Sequence, residues 1–324
     1  MILGDWRHGQ ESPIRVGISA CLLGQRVRFD GGHKRDSYLV ETLGRWFNWV
    51  PVCPEVEVGL GVPRPSLRLA TVGGEVRLME PKGGRDLTET MRQYAAERVA
   101  RLAELDLCGY ILKKDSPSCG MERVKVYGEG MPRRQGRGVF AAVLMERLPL
   151  LPVEEEGRLS NPKLRENFVE RVFAYRRLKL LFSGEWDVGE LVAFHTAHKL
   201  QLMAHNLQLF RQLGQLVAVA RQLPPPQLRQ QYETLFMRCL ATPATTRKNT
   251  NVLQHMAGYF KKVADPADRQ ELHQSIEDYR QELVPLVVPL TLFRHFIRAY
   301  QVPYLAGQTF LEPHPKELML RNHV

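Results

Sequence analysis

Short apolar runs alternate with helical periodicity in the first half of the chain. Three runs predict buried strands, and they lie at residues 14–20, 47–52 and 109–112. Residues 86–105 place apolar side chains at helical spacing, and Asp86 with Glu89 predicts a capping box at their start. Residues 138–144 fit either a strand or a short buried helix. Strands alternating with helices favour an α/β fold built on a mostly parallel sheet with flanking helices.

The pattern changes after residue 150. Residues 151–161 mix prolines, an acidic triplet and a polar turn, which predicts a linker. Beyond it, Asn161 and Pro162 suit the start of a helix. Further amphipathic segments predict helices at residues 163–182, 187–213, 226–239, 248–263 and 266–282. We therefore expect an α/β domain over residues 1–150 and an all-α helical domain over residues 162–324.

The composition is that of a globular protein, with 44% hydrophobic and 25% charged residues. No apolar stretch approaches the ~20 residues of a membrane span. Residues 1–13 lack the basic and apolar regions of a secretory signal, and we expect a flexible tail there. Five cysteines without such a signal favour free thiols in a reducing compartment over a disulfide framework. We predict a cytoplasmic protein without membrane association.

The positive charge is concentrated in the second half. The formal net charge is +10, and residues 162–324 carry 21 Lys and Arg against 14 Asp and Glu, a surplus of 7. A basic surface attracts phosphate backbones at long range. This surplus favours a nucleic-acid partner, although a solvated helical surface would give the same count. We predict no protein partner.

Three cysteines follow the predicted strands. Cys21 and Cys53 come directly after the first two, and Cys119 lies in the loop after the third. Sites in open α/β sheets form beyond the carboxyl ends of the strands, so these thiols are expected to converge. Thiolates bind soft metals such as iron or zinc, and three ligands leave a coordination position open for substrate. The alternative for each of these three cysteines is a buried side chain that only packs in the core. We favour that interpretation for the other two cysteines, Cys108 and Cys239.

The residues around these cysteines resemble the thiouracil desulfidase family. The shared motifs are Ser19-Ala-Cys21-Leu-Leu-Gly24, Val27-Arg-Phe-Asp30-Gly31, Cys53-Pro-Glu55-Val56 and Ser116-Pro-Ser-Cys119-Gly120. The second half resembles the YbgA-type domain, through His195-Thr-Ala-His198-Lys199 and Asn251-Val-Leu-Gln-His255-Met-Ala-Gly258-Tyr-Phe-Lys261. The combination is similar to RudS-type desulfidases, a resemblance that implies action on 4-thiouridine in tRNA. One departure is Ser66-Leu67-Arg68, where the resemblance leads us to expect a glutamate.

The resemblance implies that Cys21, Cys53 and Cys119 bind a 4Fe–4S cluster with one open iron, which takes the thiocarbonyl sulfur. Glu55 would then activate water or protonate the leaving group, or else be a turn-capping carboxylate. Ser116 and Ser118 are candidates for hydrogen bonds to the base or the cluster, with turn stabilisation as the alternative. Asp30 is a candidate for supporting the first cysteine loop, with a structural Asx-turn as the alternative that we favour.

RNA contacts are predicted at two places. Lys113 and Lys114 border the third cysteine loop and are placed to meet a phosphate. In the helical domain the predicted RNA-binding residues are Arg247, Lys248, His255, Lys261 and Lys262. The alternative for this second group is a solvated helix face. The histidines of the domain fit core or RNA-facing positions better than a zinc site.

The sequence leaves three functions open. The first is the desulfidation of tRNA thiouridine by a non-redox reaction. The second is an RNA-binding iron–sulfur redox sensor without sulfide release. The third keeps the desulfidase chemistry but applies it to free thiouracil or 2-thiouridine.

Overall fold

The computed structural model describes residues 14–323 of the 324-residue chain. The tail that we expected before Ile14, and its lack of a secretory signal, lie outside the described residues. Two compact units divide the rest, with the division between Ser160 and Asn161. The first is an α/β unit and the second is mostly helical, which confirms the predicted fold class.

A parallel sheet forms the centre of the α/β unit. Its strands are β1 (Ile14–Ser19), β2 (Phe47–Val52), β5 (Gly109–Leu112) and β8 (Val153–Glu155), in the order β2-β1-β5-β8. All three pairings are parallel. Gly17 of β1 has no side chain because the Tyr110 ring of β5 occupies that space, 2.2 Å from where a Cβ would lie. The three predicted strands are thus confirmed, with their carboxyl ends at one edge.

A second sheet was not predicted from the sequence. It has the order β4-β3-β6-β7, with strands β3 (Arg68–Val72), β4 (Glu75–Met79), β6 (Val124–Tyr127) and β7 (Arg133–Gly136). The outer pairs are antiparallel, and β3 pairs with β6 in parallel. Leu69, Leu78 and Val126 of this sheet pack in one apolar cluster with Met91. These strands are short and polar on one face, so they lack the continuous apolar runs that identified the first sheet.

Helices cover the parallel sheet. The α-helices of the α/β unit are α1 (Pro54–Glu57), α2 (Thr88–Ala103) and α3 (Val139–Arg147). Short helical turns lie at Ala20–Leu23, Tyr38–Thr42, Leu43–Arg45 and Arg158–Ser160. α2 packs against α3, and the Tyr94 and Phe140 rings lie 6.5 Å apart. The predicted capping box of α2 is wrong. Asp86 accepts hydrogen bonds from Thr88, whereas Glu89 pairs with Arg92 on the surface.

The second unit consists of helices joined by short turns. They are α4 (Pro162–Leu181), α5 (Val188–His205), α6 (Leu207–Ala218), α7 (Pro225–Ala241), α8 (Thr246–Ala257), α9 (Pro266–Arg280), α10 (Val287–Ala299) and α11 (Pro303–Ala306). Asn161 caps α4 as expected, because its side chain accepts from the Lys163 and Leu164 amides. Within residues 14–323, none of the helices combines the length and apolar character that crossing a membrane would demand.

Two segment boundaries differ from the prediction. The single helix expected over residues 187–213 is broken at Asn206, whose side chain accepts from the Leu209 amide and starts α6. The predicted linker, residues 151–161, contains the edge strand β8. This strand pairs with β5, and its Val153 lies opposite Tyr110. The acidic triplet concealed this strand, since its carboxylates accept hydrogen bonds inside the unit instead of facing water.

Candidate active site

One cavity opens at the carboxyl ends of the central strands. Its volume is about 360 Å³, and Cys21, Cys53 and Cys119 all line it. A volume of this size falls within the roughly 300–1,000 Å³ of small-molecule sites. Parallel strands bring their following loops to one edge, which is why residues nearly a hundred positions apart meet here. The predicted convergence of the three cysteines is therefore observed, and the space is hereafter called the thiol cavity.

The three thiols are costly to ionise in the absence of a ligand. Cys21 and Cys119 are buried, and Cys53 is partly buried. Burial raises the pKa of Cys21 to about 11 and raises the pKa values of Cys53 and Cys119 as well. Repulsion from Glu55, and after it from Cys53 and Cys21, further raises the pKa of Cys119. Such thiols remain protonated at neutral pH until a cation replaces the proton.

Backbone turns fix the first two cysteines. Cys21 lies in the 3-10 turn after β1, which ends at Gly24 with a φ of 92°. The Cys21 carbonyl accepts the Lys34 amide at 2.9 Å, which ties the loop back onto itself. Cys53 immediately precedes α1, and its Sγ lies 3.6 Å from the Val27 carbonyl oxygen. Both thiols are therefore held by main-chain geometry at fixed places on the cavity wall.

The third cysteine loop is closed by glycine. The Cys119 amide donates to Ser116 Oγ at 3.0 Å. Behind the loop, a Cβ at Gly138 would lie 2.5 Å from the Ser118 carbonyl oxygen, so only glycine fits there. Ser116 lines the cavity and also accepts the Ser118 amide, which agrees with the turn-stabilising alternative considered for it.

Glu55 is held by partners on both of its carboxylate oxygens. Arg64 donates to Oε2 at 2.6 Å, and the Ser118 hydroxyl donates to Oε1 at 2.9 Å. Ser118 is fully buried, so its hydroxyl orients the carboxylate and does not reach a base edge or the cavity. Sequence reasoning assigned no role to Arg64. Its side chain is nearly buried and also donates to the carbonyls of Val27 and Gly61.

The two lysines of the third loop differ. Lys113 forms an ion pair with Glu156, and that carboxylate also accepts the Lys114 amide. The predicted phosphate contact of Lys113 therefore competes with a carboxylate from the acidic triplet. Lys114 is exposed and lines the cavity. Asp30 forms an Asx-turn instead of facing the site, because its Oδ1 accepts the Gly32 amide at 3.0 Å, and this hydrogen bond lowers the pKa of Asp30.

Three thiols on the wall of one cavity are a donor set that suits an iron–sulfur cluster. Among residues 14–323, no three His, Cys, Asp or Glu side chains are grouped as ligands of one metal ion. In an iron–sulfur cluster each thiolate binds its own iron, so the sulfur atoms surround a volume instead of meeting at a point. Within the described chain, no fourth cysteine lines the cavity. Cys108 and Cys239 are buried elsewhere, as the sequence predicted.

The histidines of the helical unit are core residues. His195, His198 and His205 are all at most 3% exposed. His205 lies 3.3 Å from the buried carboxylate of Glu170, and His198 accepts a hydrogen bond from Arg177. This arrangement agrees with the core interpretation and excludes these three as an RNA-facing group.

The predicted RNA-binding residues of the helical unit are mostly on its surface. Arg247, His255, Lys261 and Lys262 are exposed. Lys248 is not free for RNA, because its ammonium group donates to the carbonyls of His205 and Pro243 and so joins α8 to the end of α5.

Comparison with known proteins agrees with this division. Residues 16–156 match the family model described as 2-thiouracil desulfurase. The chain belongs to the 2-thiouracil desulfurase family. Residues 199–315 match the model of a protein of unknown function, DUF1722, which is the YbgA-type region. The second half is thus a YbgA-type domain.

Individual relatives cover one half each. YbgA of Escherichia coli strain K12 is 34% identical over 153 residues, which are 47% of this chain and 90% of YbgA. YbbK of Bacillus subtilis strain 168 is 31% identical over 134 residues, 40% of this chain and 88% of YbbK. A solved structure, the [4Fe-4S]-dependent thiouracil desulfidase TudS, is 31% identical and matches 45% of this chain and 93% of its own, with a TM-score of 0.38. Family membership indicates a desulfidase.

Proposed function

We propose that this chain is an iron–sulfur-dependent desulfidase that converts 4-thiouridine in tRNA to uridine and hydrogen sulfide. The observation that carries the proposal is the meeting of Cys21, Cys53 and Cys119 on one cavity beside a fixed carboxylate, in a member of the 2-thiouracil desulfurase family. The basic YbgA-type domain supports RNA as the form in which the thiolated base arrives.

A 4Fe–4S cluster would be held by the three cysteines. The relative of 31% sequence identity described as [4Fe-4S]-dependent supports this cofactor. A cluster with three protein ligands supplies an iron with an open position, which is a soft Lewis acid for a thiocarbonyl sulfur. Lys113 and Arg28 contribute positive charge that favours the thiolate form of Cys21. The chain therefore provides the ligands, and these two cations offset part of the cost of ionising Cys21.

The protein's own chemistry is proton transfer at the Glu55 carboxylate. In the overall reaction, water adds to the double bond between C4 of the base and its sulfur. Oxygen then replaces sulfur on C4, and the two water protons leave with the sulfide as hydrogen sulfide. No electrons are exchanged, and no reductant is needed. Glu55 lines the cavity and is oriented by Arg64 and Ser118, so it is placed to take a proton from water and return it to the leaving sulfur.

The tRNA substrate imposes a structural step. A base within a folded RNA is stacked, and it must be splayed out to enter a cavity, at a cost of about a few kcal/mol. Contacts between basic side chains and phosphates supply affinity that offsets this cost. Lys114 at the cavity, with Arg247, His255, Lys261 and Lys262 on the helical unit, are the exposed residues that we assign to these contacts.

Free 2-thiouracil is the second candidate substrate. The matching family model carries that substrate in its description, and a cavity of about 360 Å³ accommodates a single pyrimidine. A small uncharged base does not require a basic helical domain, which is why we rank RNA first. Equal kcat/KM values for the free base and for tRNA would favour the free base.

The decisive experiment uses anaerobically purified protein and tRNA that contains 4-thiouridine. Mass spectrometry of the nucleosides should show 4-thiouridine replaced by uridine, with an equal amount of sulfide released. Cys21→Ala should abolish both turnover and the brown visible absorption of the iron–sulfur cluster. Cys108→Ala, remote from the cavity, should retain both. RNA binding without sulfide release would instead identify a redox sensor, and turnover by Cys21→Ala would refute the proposed site.

A further inference from the structure

The mouth of the thiol cavity carries an aromatic ring that the chemistry above does not use. Phe29 is 41% exposed and lines the cavity. Among residues 14–323, no other aromatic side chain lines this cavity. Leaving a phenylalanine partly exposed forgoes part of the free energy of its burial. A planar pyrimidine that enters the cavity would cover the ring and recover part of that free energy.

The ring is attached to a rigid turn. The Gly31 amide donates to the Arg28 carbonyl at 3.0 Å, and the Arg64 amide donates to the Phe29 carbonyl at 2.9 Å. Arg64 also holds the Glu55 carboxylate, so the ring and the proton-transferring group share one support. The Arg28 guanidinium lies over one face of the ring, 5.4 Å from its centroid. The ring is thus positioned before any ligand arrives.

Two lysines at the same cavity are not neutralised. Among the described residues, neither Lys34 nor Lys114 forms an ion pair, whereas Lys113 is paired with Glu156. The backbone of Lys34 is fixed on the Cys21 carbonyl, and the stem of Lys114 packs over Gly157. The two ammonium groups therefore come from separate loops, one after β1 and one after β5.

We propose that Phe29 stacks on the thiolated pyrimidine while Lys34 and Lys114 bind the phosphates that flank it. The site would then take a splayed nucleotide within an RNA strand, not only a base. Stacking on an aromatic ring with phosphates held by lysines is the general mode by which proteins bind unpaired nucleotides. The inference rests on the proposed function, and it names residues that determine how the substrate is recognised.

Binding tests the inference without turnover. The probe is a short, fluorescently labelled oligoribonucleotide that carries uridine at the target position, titrated by anisotropy onto anaerobically purified protein. Phe29→Ala and Phe29→Leu should each weaken binding about tenfold or more, while Phe29→Trp should retain it. The logarithm of the association constant falls linearly with the logarithm of the salt concentration, and Lys34→Ala should make this slope less negative by about 0.7. Lys82→Ala, at an exposed turn away from the cavity, should change neither quantity.

Turnover separates failure of the inference from failure of the proposed function. Lys34→Ala should lower the ratio of kcat/KM for a 4-thiouridine oligonucleotide to that for free 2-thiouracil. Phe29→Ala should raise KM for both, with the brown absorption unchanged. Wild-type binding and kinetics in Phe29→Ala and Lys34→Ala would overturn the inference and leave the desulfidase intact. An absence of sulfide release from every substrate by the wild-type protein would instead reject the proposed function.

Discussion

The two units of the molecule bury polar groups in opposite ways. In the α/β unit, three thiols line an open cavity, and burial raises their pKa values without supplying a cation. In the helical unit, a cluster of Glu166, Glu170, His205 and Arg321, here called the helical polar cluster, satisfies its charges internally. Buried charges that pair with one another stabilise a fold, whereas several buried thiols on one cavity wall suit a ligand that supplies positive charge.

Short polar contacts hold the helical polar cluster together. His205 Nδ1 lies 2.7 Å from the Thr242 carbonyl oxygen, and its Nε2 lies 3.3 Å from Glu170 Oε1. The ring therefore joins the end of α7 to the buried Glu170 carboxylate. The neighbouring His205 and Arg321 side chains lower the pKa of Glu170 despite its burial. The cluster is therefore an ion network with a structural role.

The largest effect is expected at the thiol cavity, from Glu55→Gln. The amide keeps the size of the side chain but cannot accept and return the proton, so kcat should fall by about 10²–10⁴-fold. The measurement is sulfide release under anaerobic conditions. Glu75→Gln is the matched control, because Glu75 is an exposed carboxylate of the same unit that pairs with Arg77 and does not line the cavity. Undiminished turnover in Glu55→Gln would remove this carboxylate from the chemistry.

The next effect concerns stability and belongs to the helical unit. Glu170→Gln removes the buried carboxylate that faces His205 and lies 3.9 Å from Arg321, which should cost about 3–5 kcal/mol of unfolding free energy. Denaturation followed by far-UV circular dichroism measures the loss. Glu233→Gln, which breaks the exposed Arg229 pair, should cost at most about 1 kcal/mol. Equal losses in the two variants would contradict the structural role of the cluster.

The sequence predicted the parts of the molecule that depend on local pattern. The apolar runs of β1, β2 and β5 placed the cysteines correctly, because parallel strands must share an edge. It missed Arg64, Phe29 and Glu156, whose roles depend on contacts between distant loops. Nothing in residue type or spacing distinguishes a lysine paired with a carboxylate, such as Lys113, from an unpaired one, such as Lys114.

Protonation of Glu166 should make the stability of the helical unit depend on pH. Burial raises its pKa to about 7, with Arg321 opposing and Glu170 reinforcing the shift. Its unfolded value is about 4.3, so between these values the folded chain binds more protons. This contribution to stability is full below about pH 4.3 and is lost as pH rises through about 7, with an amplitude on the order of 3–4 kcal/mol.

The measurement is the unfolding midpoint of the helical unit between pH 5 and pH 8. Glu166→Gln should flatten the dependence, because the amide does not titrate. Glu185→Gln, at an exposed carboxylate of the same unit, should leave it unchanged. A slope that persists in Glu166→Gln would assign the pH dependence to other groups.

The smallest effect compares two helix starts that looked alike in sequence. Asn161 caps α4 through two amide hydrogen bonds, so Asn161→Ala should cost about 1 kcal/mol and Asn161→Asp should restore most of it. Glu89 was expected to cap α2 but pairs only with exposed arginines, so Glu89→Ala should change stability by less than about 0.5 kcal/mol. Thermal unfolding of the variants measures both changes. Equal costs would mean that the Glu89 carboxylate reaches the helix amides in solution, and the contrast between the caps would then disappear.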